Sequence, residues 1–358
     1  MLFPFLLGCT GGHGETNPTD TADTAATPDD AGDTGDSGDT GADCDATVPT
    51  IALPDFTAAA PYTYQTVSPS AIDPETDVNA DYEHQVFYPD TPTRAELLVY
   101  LPGTDGKPAN GLHLLDIAAR SGYRAIGLAY PTDENTGDIC PAWDDDEACT
   151  EAFNREKLYG VDGIEELDID EADSIVGRLT RLLAALDSYA PGAGFGDYLD
   201  GGTVQWERVI VVGWSQGSSI TGFLGRDVEL AGSVHLAAGC NTVEEDGAAA
   251  PAAWCLEPRA TPLDRMFSLI HTLDDWEYDS LVSWEVYDLD AWGGSADAGT
   301  LAPDYCTGPH LLTTSLSSQG GGAEYHKSIA TDAQMPLDDD GVPVLAEDYV
   351  WLFTLGAG

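Results

Sequence analysis

The pattern of hydrophobic and polar positions changes character twice along the chain. A short apolar run occupies residues 1–9, and residues 10–47 are mainly Asp, Thr, Gly, Ser and Pro. Because this second segment has almost nothing to bury, it cannot offset the entropy of ordering, and it is predicted to be a disordered tether. From about Tyr62 onward, apolar runs of strand length alternate with helical patterns. This alternation predicts a folded α/β domain over residues 48–358.

Individual segments of that domain have the period of a buried strand or of a helix. Strands are predicted at "AELLVYLPG", "YRAIGLAYP", "RVIVVG", "GSVHLAAG", "RMFSLIH" and "HLLTTSL". Helices are predicted at "NGLHLLDIAARSG", "GSSITGFLGRD" and "PVLAEDYVWLFTLG", and in a longer segment that ends before Pro191. In that longer helix one face carries Ile175, Val176, Leu179, Leu182, Leu183 and Leu186. The pattern predicts a mostly parallel central sheet flanked by helices.

The charge of the chain excludes several classes of partner. Thirteen Lys and Arg residues stand against 63 Asp and Glu residues, for a formal net charge of −50. Such a surface argues against nucleic acid as a partner and against adsorption to anionic lipid by charge alone. No dinucleotide-binding glycine pattern, phosphate-binding loop or H-E-x-x-H zinc motif occurs in the sequence. We therefore predict no cofactor.

The N-terminal segment "MLFPFLLGCT" resembles a bacterial lipoprotein signal, in which Cys9 becomes the lipid-modified first residue of the mature protein. Its apolar run is too short to span a bilayer. A short leader with an incidental cysteine is the alternative, and both interpretations predict export. A membrane would then be contacted only through the N-terminal lipid anchor.

The cysteine count agrees with an exported chain. There are seven cysteines, and assigning one as the lipid anchor leaves six, enough for three disulfides. No C-x-x-C pair occurs, which argues against metal binding by these residues. The predicted pairs are two near in sequence and one by elimination: Cys140 with Cys149, Cys240 with Cys255, and Cys44 with Cys306.

The strongest chemical signal is "GWSQG" at residues 213–217, between the predicted strand "RVIVV" and the predicted helix "SSITGFLG". A G-x-S-x-G sequence in this context predicts a nucleophile elbow, a sharp turn that raises the hydroxyl of Ser215 above the sheet. Glycines at positions 213 and 217 are expected because a side chain there would collide with the neighbouring strand or helix. The following helix directs its N–H groups toward the reacting centre.

On these residues the chain resembles the α/β-hydrolase superfamily, especially secreted bacterial serine esterases of the cutinase and polyesterase kind. The resemblance covers about residues 80–355. It implies an acid after a later strand and a histidine after the last strand, in the chain order Ser, acid, His. His326, on the glycine-rich loop "QGGGAEYHKSIATD", is the predicted base. Asp274 in "MFSLIHTLDDW" matches an H-x-x-D turn and is the predicted acid, with Asp275 as the alternative.

The tetrahedral intermediate requires two preorganised N–H donors. One is predicted at the backbone amide of Gln216, immediately after the nucleophile. The other is predicted at the amide of Thr104 in "LPGTDG", which replaces the His-Gly loop of many hydrolases. Several tryptophans are candidates for an acyl pocket, although core packing accounts for each equally well: Trp143, Trp214, Trp254, Trp276 and Trp292.

Together these residues predict an exported serine hydrolase that cleaves carboxylic esters through an acyl-enzyme. The expected partner is an ester substrate, either small or polymeric. Peptidases, thioesterases and polyester depolymerases share this apparatus, and the sequence does not separate them. The alternative from another class is a catalytically silent surface lipoprotein that uses a hydrolase fold to display binding loops.

Overall fold

The computed structural model describes residues 53–142, 146–161, 163–245, 248–299, 308–316 and 322–355. All of them belong to one compact unit, Asp43–Gly358. The leader, the whole tether, Cys9, Cys44, Trp143 and Cys306 lie outside the described residues. The predictions that concern them therefore remain predictions.

Within the described residues, nine strands form the main sheet. In chain order they are β1 (Tyr62–Val67), β2 (His84–Pro89), β3 (Leu97–Leu101), β4 (Arg124–Gly127), β5 (Val209–Trp214), β6 (Gly232–Leu236), β7 (Met266–His271), β8 (Ser295–Asp297) and β9 (Leu311–Thr314). Two short hairpins stand apart from this sheet, at Leu199–Asp200 with Thr203–Val204 and at Thr242–Glu245 with Ala248–Pro251.

The strands lie in the spatial order β1-β2-β4-β3-β5-β6-β7-β9-β8. β1 and β2 pair antiparallel to their neighbours, and every later pairing is parallel. β3 lies beside both β4 and β5, so its carboxyl end is at the centre of the sheet. This order, with a strand–turn–helix elbow after β5, is the α/β-hydrolase fold. The prediction of a mostly parallel sheet is confirmed.

Helices cover both faces of the sheet. They are α1 (Pro69–Ile72), α2 (Leu112–Arg120), α3 (Thr136–Ile139), α4 (Asp146–Tyr159), α5 (Ile175–Tyr189), α6 (Gln216–Asp227), α7 (Glu277–Tyr287), α8 (Gly322–Ser328) and α9 (Ala346–Leu355). β3, β5, β6 and β7 are buried along their whole length. Strands buried on both faces read as continuous apolar runs, which explains why their positions were evident in the sequence.

Alternate residues of each central strand enter different cores. Leu98 and Ile210 pack with α2 and α9 on one face, whereas Val99 and Val211 pack with α5 and α6 on the other. A third, smaller cluster is formed by residues that follow β4 and precede α5 in the chain. It includes Ile139, Cys149, Phe153, Ile164 and Ile169. We call residues 132–170, which carry this cluster, the cap segment.

The structure contains several elements that were not predicted from the sequence, among them β8, α1, α3 and α7. The two antiparallel strands β1 and β2 were not predicted, and neither was α4 of the cap segment. His326 was expected on a loop and instead lies in α8, a helix of seven residues. These elements have weak periodic signals because they are short, or because their burial comes from tertiary packing.

Candidate active site

The turn between β5 and α6 has the strained geometry of a nucleophile elbow. Ser215 has φ 54° and ψ −121°, a conformation that L-residues rarely adopt. A Cβ at Gly213 would lie 2.2 Å from the carbonyl oxygen of Gly217, and a Cβ at Gly217 would lie 2.3 Å from the carbonyl oxygen of Leu101. Neither approach tolerates a side chain, so both glycines are required for the turn to close.

The loop after β3 packs directly against this turn. A Cβ at Gly103 would lie 2.8 Å from the Cβ of Ser215, and the next residue, Thr104, lines the same cavity as Ser215. The Tyr130 hydroxyl donates a hydrogen bond to the carbonyl of Pro102, which fixes the start of this loop. Within the described part of the chain, the backbone N–H groups of Thr104 and Gln216 donate to no other backbone carbonyl. Both groups are therefore available to a ligand.

Asp274 and His326 meet at the carboxyl end of β7. The Oδ2 atom of Asp274 lies 2.7 Å from the Nδ1 atom of His326, and both side chains are buried. The other carboxylate oxygen, Oδ1, accepts the backbone N–H of Trp276 at 2.8 Å. Asp275, the alternative acid, is exposed. The structure thus brings Asp274 to His326 and leaves Asp275 in solvent.

Two indoles enclose the imidazole of His326. The Trp214 ring lies 5.5 Å from it and the Trp276 ring 4.9 Å from it, the latter edge-on. Trp214 also donates its indole N–H to the backbone carbonyl of His326 at 3.0 Å. The residue before the predicted nucleophile is therefore hydrogen-bonded to the backbone of the predicted base.

His271 aligns the segment that carries His326. Its Nδ1 accepts the backbone N–H of Leu273 at 3.0 Å, so its Nε2 must be the atom that donates to the Leu316 carbonyl at 2.7 Å. Its ring stacks on Tyr325 with 4.4 Å between centroids. This histidine is a structural residue of the turn before Asp274.

Two other buried histidines are also structural. His235 is buried in β6, where desolvation lowers its pKa to about 3 and keeps it neutral. Its two nitrogens contact the hydroxyls of Ser218 and Ser233. His84 is likewise buried, and desolvation lowers its pKa to about 3. A proton-transfer role near neutral pH does not suit groups held neutral in this way.

Ser215 and His326 line one cavity of about 610 Å³. One wall, which we call the sheet wall, comes from the strand ends and includes Trp214, Gln216 and Ala237. The opposite wall, the cap wall, comes from the cap segment and is formed by Asn135, Thr136, Gly137, Cys140, Pro141 and Thr150. Of the tryptophans considered above, Trp214 and Trp276 line the cavity, whereas Trp254 is buried against Phe223 and Trp292 stacks on His310.

The cap wall is held by bonds within the cap segment and by hydrogen bonds to the rest of the domain, such as the one that the Asn154 side-chain amide donates to Asn241 at 2.6 Å. Cys140 and Cys149 form a disulfide with an S–S distance of 2.04 Å. The buried carboxylate of Glu156 accepts the backbone N–H groups of Gly163 and Ile164 at 3.0 and 2.7 Å. Buried Lys157 donates to the carbonyl of Pro131 at 2.9 Å, and desolvation lowers its pKa.

The second near pair of cysteines differs from the prediction. Cys240 and Cys255 are free thiols, both buried. The Cys240 thiol donates to the hydroxyl of Tyr287 at 3.5 Å, and the Cys255 thiol lies 3.9 Å from the carbonyl of Asn241. Burial and the neighbouring Cys240 thiol raise the pKa of Cys255 well above its ordinary value. The two sulfurs are neighbours with separate partners, and sequence spacing could not distinguish contact from a covalent bond.

No cluster of three or more potential metal ligands occurs among the described residues. None of the helices in the described ranges has both the length and the apolar content to cross a bilayer.

No protein-family model matches this chain, and no curated protein is significantly similar to it. Among solved structures, esterase B from Lactobacillus rhamnosis is 10% identical, with a TM-score of 0.42, over 86% of this chain and 88% of that one. A mutant of the esterase E40 is 12% identical, with a TM-score of 0.39, over 87% and 88%. An esterase of the bacterial hormone-sensitive lipase family is 11% identical, with a TM-score of 0.38, over 86% of each chain.

Sequence reasoning missed most of the residues that surround the predicted catalytic groups. The cap wall has no motif, and the contacts of Trp276 and Asn241 with the cavity arise from loops whose paths are set by packing. Trp214, which adjoins Ser215, and Trp276 were among the tryptophans named as pocket candidates, and both line the cavity. The hydrogen bonds of the Gln216 side chain were not predicted, because the motif drew attention to its backbone amide.

Proposed function

We propose that this protein is a serine hydrolase that cleaves carboxylic esters through a covalent acyl-enzyme. In this proposal Ser215 is the nucleophile, His326 the general base and acid, and Asp274 the carboxylate that orients His326. The backbone amides of Gln216 and Thr104 hold the oxyanion. The reaction needs no cofactor.

The observation that carries the proposal is the 2.7 Å contact between Asp274 and His326, in a cavity that also contains a serine at a strained positive φ. A carboxylate on Nδ1 keeps the proton there and leaves Nε2 free to accept one. Strained backbone at a lone polar residue is characteristic of functional sites. The combination has no evident structural purpose, because neither group supports the core.

The reaction then proceeds in two halves. The Ser215 hydroxyl attacks the ester carbonyl while Nε2 of His326 takes its proton, and the carbonyl oxygen gains negative charge between the amides of Gln216 and Thr104. Collapse of this intermediate breaks the bond to the alcohol, which leaves with the proton from His326. A water molecule then attacks the acyl-serine with His326 again as base, which releases the carboxylic acid and restores Ser215.

We also propose that the protein is exported and held at the cell envelope through a lipid on Cys9. The lipoprotein-like start and the polar tether support this, and so does the Cys140–Cys149 disulfide, because stable disulfides form in oxidising compartments. A cutinase-like or polyesterase-like specificity remains a proposal that rests on the sequence resemblance.

A fluorophosphonate probe tests the enzyme proposal directly. We expect the probe to label the protein once, on the peptide that contains Ser215, as measured by mass spectrometry. Ser215→Ala should abolish labelling, and the matched control Ser70→Ala, at an exposed serine of α1, should not. A folded wild-type protein that stays unlabelled and hydrolyses no p-nitrophenyl ester would favour the surface-display alternative.

A further inference from the structure

The walls of the cavity carry hydroxyl and amide groups in place of long aliphatic side chains. Among the described residues, no Leu, Ile, Met or Phe lines it. The polar lining includes Thr104, Asn135, Thr136, Thr150, Ser219 and Asn241. Ligand pockets are usually lined mainly by apolar groups, and each CH₂ of an alkyl chain gains about 0.8 kcal/mol only when it leaves water for such surroundings. The apolar groups of this lining are two indoles, Val243 and small side chains such as those of Ala237 and Ala323, so a short acyl chain can be buried here beside walls that also offer hydrogen-bonding partners.

The side chain of Gln216 has an amide oxygen without a donor. Its Nε2 donates to the hydroxyl of Thr104 at 3.2 Å and to the carbonyl of Glu134 at 2.5 Å. The Glu134 carbonyl can only accept, so it must face the NH₂ group, which fixes the orientation of the amide. Its Oε1 is buried and has no hydrogen-bond partner among the described residues. A buried acceptor left unpaired costs about 1–3 kcal/mol.

The charges around the cavity favour a neutral donor. No Asp or Glu side chain is among the described residues that line it, although the whole chain carries a net charge of −50. Lys327 is the one lysine or arginine of that lining, and it lies 3.8 Å from Glu324 with almost half of its side chain exposed. The acidic surface repels anionic substrates at a distance, and an ionised carboxylate has no proton to donate, so a hydroxyl group suits the Gln216 oxygen better than an anionic group does.

We propose that the substrates of this site are neutral esters that carry a free hydroxyl close to the scissile carbonyl, and that this hydroxyl donates a hydrogen bond to Oε1 of Gln216. The inference rests on the proposed esterase function and deepens it. The hydroxyl has two possible sources, a hydroxylated acyl group or a polyol alcohol. Gln216 then has two roles, its backbone N–H toward the oxyanion and its side chain in choosing the substrate.

A set of three small esters tests the inference and separates the two sources. Ethyl butyrate has no hydroxyl, ethyl 3-hydroxybutyrate has one on the acyl side, and glycerol monobutyrate has hydroxyls on the alcohol side. We expect kcat/KM for at least one hydroxylated ester to exceed that for ethyl butyrate by about tenfold or more, the equivalent of one hydrogen bond to a buried acceptor. The hydroxylated ester with the higher kcat/KM shows whether the recognised hydroxyl lies in the acyl group or in the alcohol.

Gln216→Met should bring that ratio close to one. The variant also loses the bond to Thr104 and so lowers every rate, but a purely positional loss lowers all three rates by the same factor. Thr136→Val is the matched control, since it removes a hydroxyl from the cap wall and should leave the ratio unchanged. Circular dichroism and melting curves verify that each variant folds.

Two results would overturn the inference while leaving the esterase proposal intact. One is a labelled, active wild-type enzyme that hydrolyses all three esters equally. The other is a preference that survives Gln216→Met or disappears with Thr136→Val. If the wild-type protein neither reacts with the fluorophosphonate nor cleaves any ester, the proposed function itself fails.

Discussion

The two walls of the cavity are built by different physical means. On the sheet wall, Ser215 lies at the end of a strand that is buried along its length, and its backbone strain is supported by close contacts with the loop after β3. On the cap wall, side-chain bonds maintain the structure: one disulfide, a buried carboxylate and a buried lysine. The sheet wall is stabilised by the core of the whole domain, whereas the cap wall is stabilised by its own small cluster and by hydrogen bonds to the domain.

This difference implies a division of labour. Groups that take part in bond breaking need positions accurate to a fraction of an ångström, which rigid strands provide better than loops do. Groups that only contact the substrate tolerate more variation, and a segment with local bonds is sufficient for them. We therefore expect changes on the sheet wall to affect turnover and changes on the cap wall to affect stability and substrate choice.

The largest effect is expected at the nucleophile. Ser215→Ala should lower kcat by about 10⁴ or more, because the covalent route is removed while the oxyanion amides remain. The melting temperature should change by no more than a few degrees, since the side chain supports no core. Steady-state kinetics on a p-nitrophenyl ester would measure the loss, and retention of a tenth of the activity would show that the elbow has no catalytic role.

The next effect separates two adjacent carboxylates. Asp274→Asn should lower kcat by about a hundredfold or more, because the amide no longer holds His326 in the tautomer that accepts a proton from serine. The matched variant Asp275→Asn should change kcat by less than about tenfold, because that side chain is exposed. Similar losses in both variants would mean that the turn after β7 acts as a unit, with no single orienting carboxylate.

Reduction of the Cys140–Cys149 disulfide should act on the cap wall. We expect the free energy of local opening of the cap segment to fall by about 2–3 kcal/mol, which hydrogen exchange measures, and kcat/KM to fall by less than about tenfold. A double variant, Cys140→Ala with Cys149→Ala, should no longer respond to the reductant. Loss of all activity on reduction would contradict the division between the walls.

Alkylation of the four cysteines in the described residues gives a direct check of which of them are disulfide-bonded. In protein unfolded without reductant, alkylation should modify Cys240 and Cys255 and leave Cys140 and Cys149 unmodified. Peptide mass spectrometry distinguishes the two pairs. If Cys240 and Cys255 resist alkylation until reduction, they are bonded in the isolated protein, and the sheet wall contains a second disulfide.

The smallest effect is expected from Trp214→Phe. Phenylalanine keeps the ring beside His326 but lacks the indole N–H that donates to the His326 carbonyl. The loss of one such bond corresponds to about 1 kcal/mol, so we expect a decrease of a few fold in kcat with little change in KM. An increase in KM alone would place Trp214 in substrate binding instead.

Much of the scaffold could be predicted from local patterns. β3, β5, β6 and β7 are continuous apolar runs because they are buried on both faces, and the elbow has its own turn chemistry. Short antiparallel strands at the edge, such as β1, have half-exposed and irregular patterns that carry little information. The sequence also predicted the order of the candidate groups, because the superfamily it resembles has that order.

By itself, the sequence determined the strand–helix alternation and the position of the serine on a turn that only glycines can flank, because these depend on residues near one another in the chain. Tertiary structure alone decided which of Asp274 and Asp275 meets His326, which cysteines are bonded, and which side chains form the cap wall. Each of these is a contact between distant segments. Its geometry depends on how helices and loops pack over the sheet, and no local period or motif encodes that packing.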